Sequence, residues 1–396
     1  MTRKIIAILA DFPWSFFEGG ATGRGGGQAC TWLSQLAVEF AEGSPYEIHW
    51  ITLDRSRFGA GSELREWGGQ FFHRIPGLKA SIDLRLGYCM SRWQLSRKLL
   101  RIRPALVHCW GTETAYPVVC GRSSVPVILS MQGILTEYRR IGGLPNVYYW
   151  NELERREPEY LKDAAVVTCE SQWGIDRVKE VNPAIRTYQV EYGVNPSFFD
   201  LTWKPDTENP YALFSGSIDG RKGVDTLMDA IVSIKNRGWR LKLAGYGPLF
   251  EQLSERKVPG VEWLGLLDWK RLQQELVGAM CLVLPTRADT SPNVVKEARV
   301  IGLPVITTVH GGQSGYIHNG VNGIIVDPLD SEELAQALSR LMGDLQLSRR
   351  MGAARHAEDR AYFQPSRTAR GFLEIYDKLL SESSSASHNS SGFVTK

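Results

Sequence analysis

Between Leu284 and Thr308 the chain reads Leu-Pro-Thr-Arg-Ala-Asp-Thr-Ser-Pro-Asn-Val-Val-Lys-Glu-Ala-Arg-Val-Ile-Gly-Leu-Pro-Val-Ile-Thr-Thr. Ser291 suits a helix N-cap and Pro292 a first helical position, while Gly302 suits a stop. A helix ending near Val300 is therefore expected between two apolar strands. The first turn of such a helix, at Ser291, Asn293 and Val294, offers unpaired backbone N–H groups and the positive end of the helix dipole, which attract phosphate. Asp289 stands just before the helix and Glu297 one to two turns inside it. Carboxylates repel phosphate but accept hydrogen bonds from hydroxyls, so the pair reads as a set for sugar and ribose hydroxyls beside a phosphate site. Taken alone, Glu297 could be a surface helix acid and Asp289 a capping residue.

Further runs carry polar groups at strand ends. Gly216-Ser-Ile-Asp-Gly-Arg-Lys-Gly223 places Arg221 and Lys222 in a loop, where a solvated charge is the plainer alternative. Gly245-Tyr-Gly247 is by itself a weak nucleotide signal. Gly25-Gly26-Gly27 permits close backbone approach or simply a tight turn. His108 and Gln132 follow apolar runs, and a histidine in that position is often a satisfied structural group.

Together these runs resemble the retaining glycosyltransferases of GT-B fold, especially glycosyltransferase family 4. The family pattern is Glu, seven residues, Glu-Ala, then a Gly-Leu-Pro-Val strand. Here it is Asp289, seven residues, Glu297-Ala298, then Gly302-Leu303-Pro304-Val305, with aspartate in the first place. The resemblance covers about residues 4–380, closely in the second half and loosely in the first. It implies that Glu297 binds donor ribose hydroxyls and that Asp289 faces the transferred sugar. It places Gly216, Ser217 and Lys222 at the diphosphate. Ser217 occupies the position of an expected arginine, for which Arg221 can substitute. Gly26 and Gly27 match a loop that approaches donor phosphate or acceptor. Gln132 replaces a common histidine and joins Asp289 and Lys222 as the implied catalytic set, with His108 a candidate acceptor or sugar contact.

The implied reaction is transfer of a sugar from a nucleotide-diphosphate donor to a saccharide or lipid-linked saccharide, in bacterial-type surface polysaccharide or glycolipid synthesis. The chain has no Asp-x-Asp motif, so neither a metal nor a cofactor is expected. A non-catalytic nucleotide-sugar-binding protein, or another GT-B enzyme such as a nucleotide-sugar epimerase, is the alternative. A dehydrogenase is not expected, because no Gly-x-Gly-x-x-Gly opens a helix in either half.

The elements that must position these residues follow a βαβ rhythm, which implies a parallel sheet covered by helices. Strands are expected at Lys4–Leu9, Glu47–Leu53, Ala105–His108, Val125–Met131, Ala164–Thr168 and Tyr188–Glu191. A helix is expected from Gln28 to Glu42. The rhythm restarts at Tyr211, after a linker at Asn195–Pro210 that holds three prolines. The fold class is α/β: two Rossmann-like domains facing each other across a cleft, with the C-terminal helix crossing back. Residues 1–200 are assigned to the acceptor domain, 201–362 to the donor domain, 363–380 to the crossing helix and 381–396 to a disordered, serine-rich tail.

The composition of the 396 residues, 43% hydrophobic and 22% charged with net charge +3, allows two cores and lacks the basic footprint of a nucleic-acid binder. Six scattered cysteines without Cys-x-x-Cys suit a reducing, cytoplasmic setting. Residues 85–104 hold six basic residues and no acid, interleaved with Leu86, Trp93 and Leu99. Such a segment either touches the inner face of an anionic cell membrane or covers a sheet with its basic face in solvent.

Overall fold

The computed structural model of the protein describes residues 3–18, 31–57 and 59–390. Its first sheet holds β1 (Ile5–Leu9), β2 (Glu47–Asp54), β3 (Glu63–Trp67), β4 (Gln70–Pro76), β5 (Leu106–Trp110), β6 (Val127–Ser130), β7 (Val166–Cys169) and β8 (Thr187–Gln189), in the order β3-β4-β2-β1-β5-β6-β7-β8. The central strands, such as β1, β5 and β7, are buried on both faces, which is why they read as continuous apolar runs. Along β1 the side chains alternate. Ala7 and Leu9 pack with Ile51, Val107 and Leu129 on one face. Ile6 and Ile8 pack with Trp50, Leu106 and Ile128 on the other.

The expectation of an all-parallel sheet fails at the edge, where β3 runs antiparallel to β4. Gly68 and Gly69, both at positive φ, form a two-residue turn that returns the chain on itself. The residues of β3 are half-exposed and lack the apolar run of a central strand, so no strand was expected there.

The second sheet is wholly parallel. It holds β9 (Tyr211–Ser215), β10 (Arg240–Ala244), β11 (Val261–Gly265), β12 (Cys281–Val283), β13 (Val305–Thr307) and β14 (Gly323–Ile325), in the order β11-β10-β9-β12-β13-β14. It has its own core, including Phe214, Leu282, Ile306, Leu227 and Leu338. The chain passes between the sheets twice, and the crossings are joined. The Val194 N–H donates to the Phe363 carbonyl at 2.9 Å and the Gly193 N–H to Thr368 Oγ1 at 2.9 Å.

The last helix, Pro365–Ser390, buries Phe372, Ile375, Tyr376 and Leu379 in the core of the first sheet. It was expected to end at about 380, with a disordered tail beyond. Instead it continues to Ser390, and Glu382 in the added turns forms a 2.7 Å salt bridge with Arg186. Serine and alanine after that point tolerate helix when its preceding turns are anchored.

Candidate functional site

β12 leads into a loop and then the helix Asn293–Ile301, which Gly302 ends at φ 87°. The cap residue is Pro292 rather than Ser291, and no side chain caps the helix. Ser291 is turned away, its Oγ 3.4 Å from the Tyr316 hydroxyl. The first turn, at Asn293 and Val294, keeps the N–H groups that lack intrahelical partners.

Asp289 is buried just before this helix and forms a salt bridge with Lys222, which follows β9. Arg221 Nη1 lies 3.7 Å from the same carboxylate oxygen. Burial pushes the Asp289 carboxyl up, but the Lys222 and Arg221 cations outweigh it and hold it below the ordinary carboxylate value. The loop that carries both cations begins at Gly216 and Ser217. It tightens into a turn at Gly220–Lys222, where Asp219 accepts the Lys222 N–H at 2.9 Å. Arg287 clamps this turn from below. It donates to the Gly220 carbonyl at 2.8 Å, to Asp225 at 2.8 Å and to Thr226 Oγ1 at 2.9 Å.

Arg221 also reaches toward the first half of the chain. Its guanidinium lies 4.8 Å from the centroid of the Tyr138 ring and donates to the Ala288 carbonyl at 3.2 Å. The loop before the helix touches the same half. Thr290 Oγ1 donates to the Gln132 carbonyl at 2.7 Å, and Ser171 Oγ donates to the Thr290 carbonyl at 2.6 Å. Gly312 makes room for this contact, since a Cβ there would fall 2.0 Å from the Thr290 carbonyl oxygen. The structure therefore brings Asp289, Lys222, Arg221 and the Gln132 backbone together at one junction.

Glu297 faces a narrow pocket whose lining includes Trp32, Gln35, Asn195, Trp269 and Asn293. Burial pushes its carboxyl up to about 7, against the opposing pull of the neighbouring Lys296 cation. That leaves a hydrogen-bond acceptor poised between two protonation states, next to a helix start that favours phosphate.

His108 does not reach this junction. It is fully buried, with Nδ1 2.8 Å from the Tyr376 hydroxyl, Nε2 2.7 Å from Ser130 Oγ and its ring stacked on Trp110. Burial holds its pKa well below the ordinary histidine value. The role of acceptor or sugar contact is replaced by that of a core residue binding the last helix to β5 and β6. Gly26 and Gly27 lie outside the described residues.

Lys296 was missed by sequence reasoning. Its side chain is fully buried, and Nζ lies 2.9 Å from Glu170, 3.0 Å from Glu191 and 3.2 Å from the Tyr192 carbonyl. The two glutamates follow β7 and β8, so this triad ties the Glu297 helix to the first sheet. A lysine one position before Glu297, on a buried helix, was the available signal. Its partners, more than a hundred residues away, left none.

On the outer surface the segment 80–103 exposes apolar and basic side chains together. Trp93 is 57% exposed and Leu100 76%, flanked by exposed Arg85, Arg97 and Arg101. Among the described residues no helix is long and apolar enough to cross a membrane.

Residues 209–344 match the family described as glycosyl transferases group 1. An uncharacterized glycosyltransferase of Methanocaldococcus jannaschii is 23% identical over 342 residues, covering 84% of this chain and 90% of the relative. Glycogen synthase of Mycobacterium tuberculosis is 23% identical over 309 residues, 74% of each chain. Among solved structures, sucrose-phosphate synthase from Thermosynechococcus elongatus superposes with a TM-score of 0.74 at 19% identity, covering 96% of this chain and 100% of that one. Anabaena HepE in complex with UDP-glucose superposes with a TM-score of 0.69 at 16% identity, covering 95% and 100%. The fold is GT-B.

Proposed function

We propose that the protein is a retaining glycosyltransferase that moves a sugar from a nucleotide-diphosphate donor to a saccharide or lipid-linked saccharide. The observation that carries this reading is the junction of Lys222, Arg221 and Asp289 beside the uncapped helix start at Asn293, with Glu297 in the adjoining pocket. The match of residues 209–344 to glycosyl transferases group 1 and the solved UDP-glucose complex of a GT-B neighbour support it. Residues 1–200 would bind the acceptor and 201–362 the donor, with 363–380 crossing back.

In this reaction the bond from the anomeric carbon to the diphosphate oxygen breaks, its electron pair leaving with the nucleoside diphosphate. The acceptor oxygen bonds to the same carbon, and its proton passes to the departing phosphate. Negative charge grows on the diphosphate while the sugar becomes oxocarbenium-like. Lys222, Arg221 and the amides of Asn293 and Val294 oppose the first, and Gly216 and Ser217 line the same loop. Glu297 accepts from the ribose hydroxyls. Asp289 faces the transferred sugar, its charge complementing the cationic carbon, and Gln132 stands across the cleft as a hydrogen-bonding group. Retention places attacking and leaving oxygens on one face of the sugar.

One measurement tests the reading directly. A thermal-shift screen against nucleoside diphosphates and nucleotide sugars should reveal a stabilising donor, since tight binding to the native state raises the melting temperature. The absence of stabilisation by any of them would remove the donor site.

Peripheral contact with the cytoplasmic face of an anionic membrane, through residues 85–104, belongs to the same proposal. It is supported by the exposed Trp93 and Leu100 among basic residues. Vesicles containing phosphatidylglycerol should sediment the protein and pure phosphatidylcholine vesicles should not. Equal, salt-insensitive behaviour with both would contradict it.

A further inference from the structure

Glu113 is a carboxylate that the donor site does not use. It follows β5 by three residues, at the carboxyl end of a parallel strand, the edge where open α/β sheets bind ligands. Gly111 has φ 74°, and a Cβ there would lie 2.8 Å from the nearest atom of the Glu113 side chain, so the acid is folded back over its own turn. Glu113 Oε2 is buried and has no hydrogen-bond partner. A buried carboxylate oxygen left unpaired is costly, and in native structures such a group marks strain, a functional role or a bound partner.

The neighbouring acid, Glu157, shows the contrast. It accepts from Thr112 Oγ1 at 2.5 Å, from the Leu135 N–H at 3.0 Å and from both the N–H and Oγ1 of Thr136 at 3.0 Å. Those bonds make it an anchor for the helix Leu135–Arg140, with no capacity directed elsewhere.

The surroundings of Glu113 connect it to the donor junction. Tyr138 lies within electrostatic reach of Arg221 and Asp289 from the second half of the chain and of Glu113 and Glu157 from the first. Tyr149 feels Arg55, Glu113 and Asp11. Asp11 in turn accepts from the Tyr116 hydroxyl. The result is a cluster of acids and tyrosines with two arginines, close to Asp289 and so to the position assigned to the transferred sugar. Carboxylates accept from hydroxyls and tyrosine faces cover C–H surface, whereas three acids repel phosphate.

Resting on the donor reading above, we propose that Glu113 is the acceptor-binding carboxylate, and that its free Oε2 accepts a hydrogen bond from a hydroxyl of an unphosphorylated sugar ring held between Asp11, Tyr138 and Tyr149. Any phosphate or lipid diphosphate of the acceptor then lies away from these acids. Burial, with Glu157 and Asp11 adding to it, pushes the Glu113 carboxyl up to about 7. Acceptor affinity therefore rises with pH as the carboxylate ionises. The charged and titratable groups facing it are Asp11, Glu157, Tyr138, Tyr149, Arg55 and, across the junction, Asp289.

The test uses the full chain and the nucleotide sugar that raises its melting temperature most. Initial rates are measured at saturating donor with unphosphorylated mono- and disaccharides and with the corresponding sugar 6-phosphates. Wild type should respond to unphosphorylated sugars, with acceptor kcat/KM rising through pH 7. Glu113→Gln should keep the donor-induced stabilisation and donor KM, raise the acceptor KM at least tenfold and flatten the pH dependence. Glu113→Asp, which keeps the charge but withdraws it by one methylene, serves if the glutamine variant does not fold, and should raise the acceptor KM as well. An unchanged acceptor KM and pH profile in the folded variant overturns the assignment. So does a wild-type response to sugar phosphates alone, or to no unphosphorylated sugar. Failure of every nucleotide sugar to stabilise the wild type instead strikes the donor reading.

Discussion

Lys222 and Asp289 form a salt bridge between the loop after β9 and the loop after β12, and Arg221 stands 3.7 Å from the same carboxylate oxygen. Two cations thus converge on one acid at the carboxyl end of the second sheet. A diphosphate entering there meets cations already gathered, and it must compete with Asp289 for them. The arginine expected at Ser217 is absent, so Arg221 is the nearest planar cation able to grip two phosphate oxygens.

Arg221→Ala should therefore lower kcat more than it weakens donor binding, because charge on the diphosphate grows toward the transition state. We expect at least a tenfold loss in kcat, with Ser217→Arg in that background recovering part of it. Steady-state kinetics with separate calorimetry of donor binding checks this. Wild-type turnover by Arg221→Ala, alongside an inactive Lys222→Ala, would reduce Arg221 to its contact with the Tyr138 ring.

Glu297→Gln should weaken donor binding by about 1.5–3 kcal/mol, the range for losing a charged hydrogen bond. The folded carboxyl is raised to about 7 by burial, so its ionised form is disfavoured in the native state. Its contribution to stability is complete below the unfolded pKa and is lost as pH rises through about 7. Removing the charge should then stabilise the empty protein above pH 7, by at most about 3 kcal/mol at 1.36 kcal/mol per unit. Donor affinity of the wild type should rise with pH through 7, and that of the variant should not. Calorimetry and melting curves at pH 6 and 8 decide it, and equal donor affinities for the two proteins would take Glu297 out of the site.

Lys296→Met leaves Glu170 and Glu191 buried without their cation. Breaking such a buried set by removing one partner costs about 3–5 kcal/mol. The variant should unfold at markedly lower denaturant concentration, and Glu170→Gln added to it should recover part of the loss. Burial, with the Glu191 charge adding to it, raises the Glu170 carboxyl against the pull of Lys296. Denaturant midpoints equal to wild type would show the triad to be energetically idle.

Much of the donor side was legible because its signals are local. Ser291, Pro292 and Gly302 bracket the helix that carries Glu297, and only the cap shifted by one residue. Apolar runs located the central strands for the same reason. What escaped depends on contacts between distant residues. The burial of His108 follows from the last helix, through Tyr376. The engagement of Arg221 depends on Tyr138, and that of Lys296 on Glu170 and Glu191. The edge strand β3 escaped because half-exposed residues carry little apolar pattern.

The last helix offers a stability test of the crossing. Phe372 and Tyr376 are fully buried against the first sheet, each worth about 1.5–3 kcal/mol. Truncation before Arg370 should yield unfolded or aggregated protein, whereas truncation after about residue 385 should leave the melting temperature within a few degrees. A folded product of the shorter chain would contradict the packing role of this helix.

The central claim is that Lys222, Arg221 and the helix start at Asn293 hold the diphosphate of a nucleotide sugar while its sugar is transferred with retention. The most direct measurement follows nucleotide sugars by NMR during incubation with the protein and candidate saccharides in excess EDTA. The account predicts consumption of one donor, release of its nucleoside diphosphate and a product whose anomeric configuration matches the donor. Donor binding without consumption, an inverted product, or activity abolished by EDTA and restored by magnesium or manganese would contradict it.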